Sequence, residues 1–257
     1  MRWRKRSRMF RINLHAAAQH QQPGRKIRLR RFFGITDSEW LRNSLRLYVV
    51  TDERQDAGSL EDVLAEAIAG GVTAVQLRRK GELGRRFVEM GRAVKRITAG
   101  AGVLFIVNDR VDVALLVDAD GVHVGQDDID CSDAKRLLRH RIVGVSAATV
   151  QEALAAERAG ADYLGVGAVF PTRSKPDADA SSLHELSQIA KAVKIPVVGI
   201  GGIGQENAAS VLAAGADGVA VVSAVMSAAN PRAASQALLR CVGRSLQSRA
   251  EKGSPDA

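Results

Sequence analysis

Short runs rich in Val and Ile alternate with longer amphipathic stretches from Leu45 onward, and this alternation constrains the fold more than any other feature of the chain. Eight runs are read: Arg46 to Asp52, Thr73 to Arg78, Val103 to Asn108, Asp120 to Gly125, Ile142 to Ala147, Asp162 to Ala168, Ile195 to Gly202 and Asp217 to Ser223. They are nearly continuous in apolar residues, as strands buried on both faces should be, and the stretches between them suit crossover helices. Eight βα units imply an α/β fold of the closed (β/α)8 TIM-barrel type. A weak repeat supports the count: Gly70-GVTAVQL, Asp118-ADGVHVG, Gly160-ADYLGVG and Gly215-ADGVAVV each lead a turn into a strand. A doubly wound open sheet is disfavoured, because Thr51-DERQDAG after the first run lacks the Gly-x-Gly-x-x-Gly turn.

Charge divides the chain into unequal parts. The net charge is +9, yet residues 1–46 hold thirteen Arg or Lys against Asp37 and Glu39, so the remainder is slightly acidic. Residues 1–44 therefore read as a basic extension of disordered-type composition, 45–246 as the barrel and 247–257 as a flexible tail. The extension suits a transit peptide, a phosphate-binding arm or a non-native start, and it lacks the apolar stretch of a secretory signal. No apolar run approaches the roughly 20 residues of a membrane helix. A cytoplasmic protein is expected, with an organelle as the alternative if the extension is a transit peptide. Cys131 and Cys241 match no metal or redox spacing and read as structural.

In a barrel of this type, chemistry sits at the C-terminal strand ends. Those ends deliver Gln76, Arg78, Arg79 and Lys80 after the second run, Asn108 and Asp109 after the third, and Gln126, Asp127 and Asp128 after the fourth. Ser146 closes the fifth, and the sixth leads into Phe170-PTRSK-Pro176. Gly201 and Gly202 follow the seventh and Ser223 the eighth, a pairing whose exposed backbone N–H groups suit a phosphate monoester. Asp109 and Asp128 are hard oxygen ligands fit for Mg²⁺ bridging to a diphosphate, though each is also a fair helix N-cap. Arg78, Lys80 and Lys175 would supply charge to a leaving diphosphate, with Ser146 donating a hydrogen bond. The polar stretch from Gly167 to Ser182 reads as a mobile lid or an insertion. His123 lies within the fourth run and reads as an interior residue.

These residues resemble the thiamin phosphate synthase family, from Tyr48 to about Ser227. The motifs are Tyr48-VVTD, Val75-QLRRK, Asn108-DRVDVALLVDADGVHVGQDD, Gly144-VSAAT, Gly160-ADYLGVGAVFPTRSK, Pro196-VVGIGGI and Gly215-ADGVAVVSA. The resemblance implies that hydroxymethylpyrimidine diphosphate loses pyrophosphate and that the thiazole phosphate nitrogen attacks the carbon left behind, with Mg²⁺ as cofactor. It places the pyrimidine diphosphate on Gln76, Arg78, Lys80, Asn108, Ser146 and Lys175, the metal on Asp109 and Asp128, and the thiazole phosphate on Thr172, Ser174, Gly202, Val222 and Ser223. Cations and metal around a departing anion suit this chemistry without a general base.

Four positions depart from the family pattern. Arg79 replaces an acid at the rim expected for the pyrimidine, Ala148 replaces a histidine, Gly167-Ala168 replaces Gly-Pro, and Ser174 replaces a threonine. The runner-up is a thiazole tautomerase-like paralogue, which is not expected to keep the Pro-Thr-x-Thr-Lys segment or both aspartates. A third reading is a catalytically silent phosphate-binding barrel. Small molecules are the expected partners, nucleic acid is disfavoured, and a homo-oligomer is left open.

Overall fold

The computed structural model describes residues 37–53, 57–82, 84–172 and 182–252. Its eight strands follow chain order around a closed barrel: β1 (Leu47–Val50), β2 (Ala74–Leu77), β3 (Leu104–Asn108), β4 (Gly121–Val124), β5 (Ile142–Ala147), β6 (Tyr163–Val166), β7 (Val197–Ile200) and β8 (Gly218–Val221). Every neighbouring pair is parallel, and β1 closes onto β8 through Tyr48 opposite Ala220. Each strand falls inside its predicted run. The helices that return the chain are α2 (Ala57–Ala69), α3 (Gly84–Ala101), α4 (Val111–Leu116), α5 (Cys131–Leu138), α6 (Val150–Arg158), α7 (Leu183–Ala192) and α8 (Ala208–Ala213), after a first helix α1 (Asp37–Ser44). A short α9 (Ser223–Met226) and a long α10 (Pro231–Lys252) follow β8.

Alternate strand residues serve two cores, which is why the runs read as continuously apolar. Val49, Val75, Phe105 and Val107 point outward and pack with helix residues such as Leu64, Phe87 and Leu186. Tyr48, Ala74, Ile106, Tyr163, Val198 and Ala220 point inward and fill the barrel. Cys131 is buried, and burial pushes its thiol up to about 11.

The repeat has a structural meaning at the N-terminal end of the barrel. Its turn residues Gly71, Asp118, Gly160 and Gly215 all have positive φ, a geometry that favours glycine and tolerates Asp. Two residues later, Thr73, Asp120, Asp162 and Asp217 each accept a hydrogen bond from a neighbouring strand's N–H, at 2.9, 2.9, 2.7 and 3.0 Å respectively. Their own backbone N–H groups bond back to the carbonyls of the same strand residues. The acid or Thr of the repeat is thus a staple between adjacent strands, and Lys135 pairs with the Asp162 staple at 2.8 Å.

Two boundaries differ from the sequence reading. Residues 37–44, assigned there to the extension, form α1, and Leu41 and Leu45 enter the inward-facing cluster while Arg42 pairs with Asp217. The basic composition upstream obscured a short amphipathic segment that plugs the barrel floor. At the other end α10 continues past Leu246 to Lys252, with no helix breaker before Gly253. Residues 1–36 and 253–257, and with them the expectations placed on the basic extension before Asp37 and on the end of the tail, lie outside the described residues.

Candidate functional site

A cavity of about 550 Å³ opens at the C-terminal ends of the strands. Gln76, Arg78, Lys80, Asn108, Asp109, Asp128, Ser146, Thr172, Gly202, Val222 and Ser223 all line it, so the structure brings these predicted residues to one mouth. Ser174 and Lys175, with most of the expected lid, lie outside the described residues.

The in-and-out alternation of β2 carries on past its last residue, Leu77, and sorts the cations that follow. Gln76, Arg78 and Lys80 face the cavity, whereas Arg79 is buried away from its lining. Thr51 grips the backbone here: its Oγ1 accepts from the Arg78 N–H at 3.0 Å and donates to the Arg78 carbonyl at 3.2 Å. Glu53 holds the Lys80 N–H at 2.9 Å. Burial lowers the Arg79 pKa, while the charges of Asp52, Glu82 and Glu53 oppose that effect and keep the guanidinium compensated. The reversed charge expected at the rim therefore stands outside the cavity, among acids. Ala148, in contrast, does line the cavity, and its N–H donates to Glu152 at 2.6 Å.

Asp109 and Asp128 meet at the ends of β3 and β4. Asp109 has φ of 58°, an uncommon backbone conformation for a residue other than glycine, and its N–H donates to the His123 carbonyl at 2.8 Å. Burial raises its pKa to about 6, helped by a hydrogen bond to Asp128 and by that residue's charge, while Lys80 and Arg78 pull it down. Asp128 in turn accepts the Gly125 N–H at 2.7 Å. Two crowded carboxylates beside cations are a donor set that fits a hard divalent ion with positions left for phosphate or water. Among the described residues no group of three or more His, Cys, Asp or Glu gathers to form a metal cage.

Across the cavity, Gly201 and Gly202 turn after β7 with φ of 99° and 61°. A Cβ on Gly202 would stand 2.6 Å from the Pro171 carbonyl oxygen, so only glycine fits against the start of the expected lid. Val222 precedes α9 and offers no side-chain cap; the Val225 N–H donates to the Val222 carbonyl at 3.1 Å, so the Ser223 and Ala224 N–H groups are the ones suited to an incoming anion.

The wall between these two ends holds residues that the strand-end argument missed. His123 bonds Ser146 Oγ through Nε2 at 3.0 Å and the Tyr163 hydroxyl through Nδ1 at 3.0 Å, so it is both interior and part of the site. Tyr48 and Tyr163 lie deeper, and Gln126, which the strand-end argument did name, clamps the Ser146 carbonyl at 2.6 Å. Tyrosines at inward positions of otherwise aliphatic strands were the available signal.

Residues 47–225 match the thiamine monophosphate synthase family. The thiamine-phosphate synthase of Moorella thermoacetica is 52% identical over 202 residues, covering 77% of this chain and 96% of that protein. That of Pyrococcus furiosus is 48% identical over 202 residues, covering 79% and 97%. A solved thiamine phosphate pyrophosphorylase from Pyrococcus furiosus superposes with a TM-score of 0.73 at 45% identity, covering 80% of this chain and 99% of that one.

Proposed function

Because the chain belongs to the thiamine monophosphate synthase family, we propose that its barrel mouth joins hydroxymethylpyrimidine diphosphate to thiazole phosphate and releases pyrophosphate. The protein is a transferase of thiamine biosynthesis. One observation carries the assignment of the reaction to this mouth. Arg78, Lys80, Ser146 and the paired Asp109 and Asp128 share a single cavity with the Gly201-Gly202 turn and Ser223.

In this reading the bond between the pyrimidine methylene carbon and its diphosphate oxygen breaks, and the electron pair leaves with pyrophosphate. The thiazole nitrogen then gives its lone pair to that carbon. That nitrogen carries no proton, so no general base is required. Arg78 and Lys80, with Lys175 from the segment outside the described residues, stabilise the growing charge on the leaving group. Ser146 donates a hydrogen bond to it, and Gln76 and Asn108 orient the pyrimidine. Gly202, Val222 and Ser223, with Thr172 and Ser174, hold the thiazole phosphate. Asp109 and Asp128 would hold Mg²⁺, which when bound neutralises diphosphate charge.

The tautomerase-like and silent-barrel alternatives have less support, since the relatives compared are synthases and both aspartates face the cavity. The reading is of a cytoplasmic enzyme acting on small molecules, with an organelle the alternative if residues 1–44 are a transit peptide. Among the described residues no helix is long and apolar enough to cross a membrane. The test incubates the full chain with both heterocycles and Mg²⁺ and measures pyrophosphate. Release that requires both substrates is expected; no release while thiazole phosphate still binds would replace the synthase with a phosphate-binding barrel.

A further inference from the structure

A row of hydrogen-bonded side chains crosses the barrel interior beneath the cavity. Gln76 Nε2 donates to the Tyr48 hydroxyl at 2.9 Å, and that hydroxyl meets the Tyr163 hydroxyl at 2.9 Å. Tyr163 contacts His123 Nδ1 at 3.0 Å, and His123 Nε2 contacts Ser146 Oγ at 3.0 Å. The row joins strands β2, β1, β6, β4 and β5, and both of its ends are residues assigned above to substrate. Space for it is cut into the strands. A Cβ on Gly144 would stand 2.1 Å from Tyr163 Cζ, and one on Gly165 would stand 2.9 Å from His123 Cε1.

The row has a direction. Burial holds both phenols well above the ordinary tyrosine range, so each keeps its proton. The Tyr48 oxygen already accepts from Gln76, which leaves its own proton for Tyr163. Tyr163 then accepts from Tyr48 and gives its proton to His123 Nδ1. In the neutral imidazole the remaining proton is then on Nε2 and goes to Ser146 Oγ, so the Ser146 proton is the one left over. The opposite order would give Tyr48 two incoming donors and leave its proton without a place in the row, a costly arrangement in a buried site.

We propose that Tyr48, Tyr163 and His123 are positioning residues that keep the Ser146 hydroxyl proton directed into the cavity, toward the oxygen of a departing diphosphate. The proposal rests on the synthase reading for the identity of that anion, while the direction of the row does not. A serine free to rotate would spend part of its time as an acceptor and would stabilise the leaving anion less.

Two measurements on the full chain test it. Nitrogen-15 NMR of the ligand-free protein is expected to find His123 protonated on Nε2 and bare on Nδ1; the other tautomer, or a doubly protonated ring, overturns the proposal whatever the protein catalyses. In steady-state assays Tyr163→Phe is expected to lower kcat about tenfold with KM for thiazole phosphate little changed, and to cost less than about twofold in a Ser146→Ala background. Equal losses in both backgrounds would mean that Tyr163 acts on the fold and not through Ser146. His123→Gln, which can still offer Ser146 an N–H, should retain more activity than His123→Leu, and equal loss in the two counts against the row. If the wild-type chain releases no pyrophosphate, the synthase reading fails, and the same cycle is read from the affinity for inorganic pyrophosphate with Mg²⁺. Non-additive weakening then upholds the row, and additive weakening rejects it.

Discussion

Replacing Asp109 by Asn removes one of two crowded carboxylates without changing shape, and Asn also tolerates the φ of 58° found there. The carboxyl rises from its ordinary 3.8 to about 6 in the folded protein, first through burial and then through Asp128. That rise corresponds to about 3 kcal/mol of penalty on the ionised form, and because the group is only half-buried, solvent screening reduces the expected effect to about 1 kcal/mol. The direction with pH follows from the raised value. Above pH 6 both folded and unfolded chains are ionised and the folded state carries the full penalty; between 6 and 3.8 the folded state takes up the proton first and recovers stability. Asp109→Asn should therefore raise the melting temperature by about 2–4 °C near neutral pH without metal, and the gain should vanish as pH falls toward 4. Adding Mg²⁺ should stabilise the natural protein more than the variant, reversing the order. Thermal melts across that pH range, with and without the ion, measure both effects. A variant less stable than the natural protein at neutral pH without metal, or a gain that persists undiminished at acid pH, would refute the reasoning.

Arg79 and the strand staples yield further expectations. Arg79→Glu places a buried acid among Asp52, Glu53 and Glu82 and should destabilise the fold by about 3 kcal/mol or more without raising the rate; a faster enzyme of unchanged stability would return the charge reversal to the substrate site. Asp162→Ala leaves the Val143 N–H and Lys135 without their partner and should cost about 2 kcal/mol in urea unfolding, with KM for both substrates unchanged. A loss below about 0.5 kcal/mol would show that the staple is dispensable.

The barrel was legible because its strands are buried on both faces, which writes eight apolar runs into the chain regardless of detailed packing. Strand ends such as Arg78, Asp109 and Ser146 were legible for the same reason, since the fold places all such ends on one rim. Two readings failed where the answer depended on which side of the backbone a residue takes or what lies across space. Arg79 sits next to Arg78 and Lys80 in sequence, but strand alternation turns it out of the cavity and into acidic neighbours. The α1 segment looked like part of a basic tail until Leu41 and Leu45 were seen to close the barrel floor.

By itself the amino-acid sequence determined the element order, the closed topology, the repeat and the residue types available at the mouth, because all of these are local patterns of polarity and turn chemistry. Only the tertiary structure decided that Gln76, Tyr48, Tyr163, His123 and Ser146 form one row and that Asp109 shares a proton environment with Asp128. Those relations join residues from different strands, and a hydrogen bond or a charge interaction depends on angstrom-scale distances that no spacing along the chain encodes.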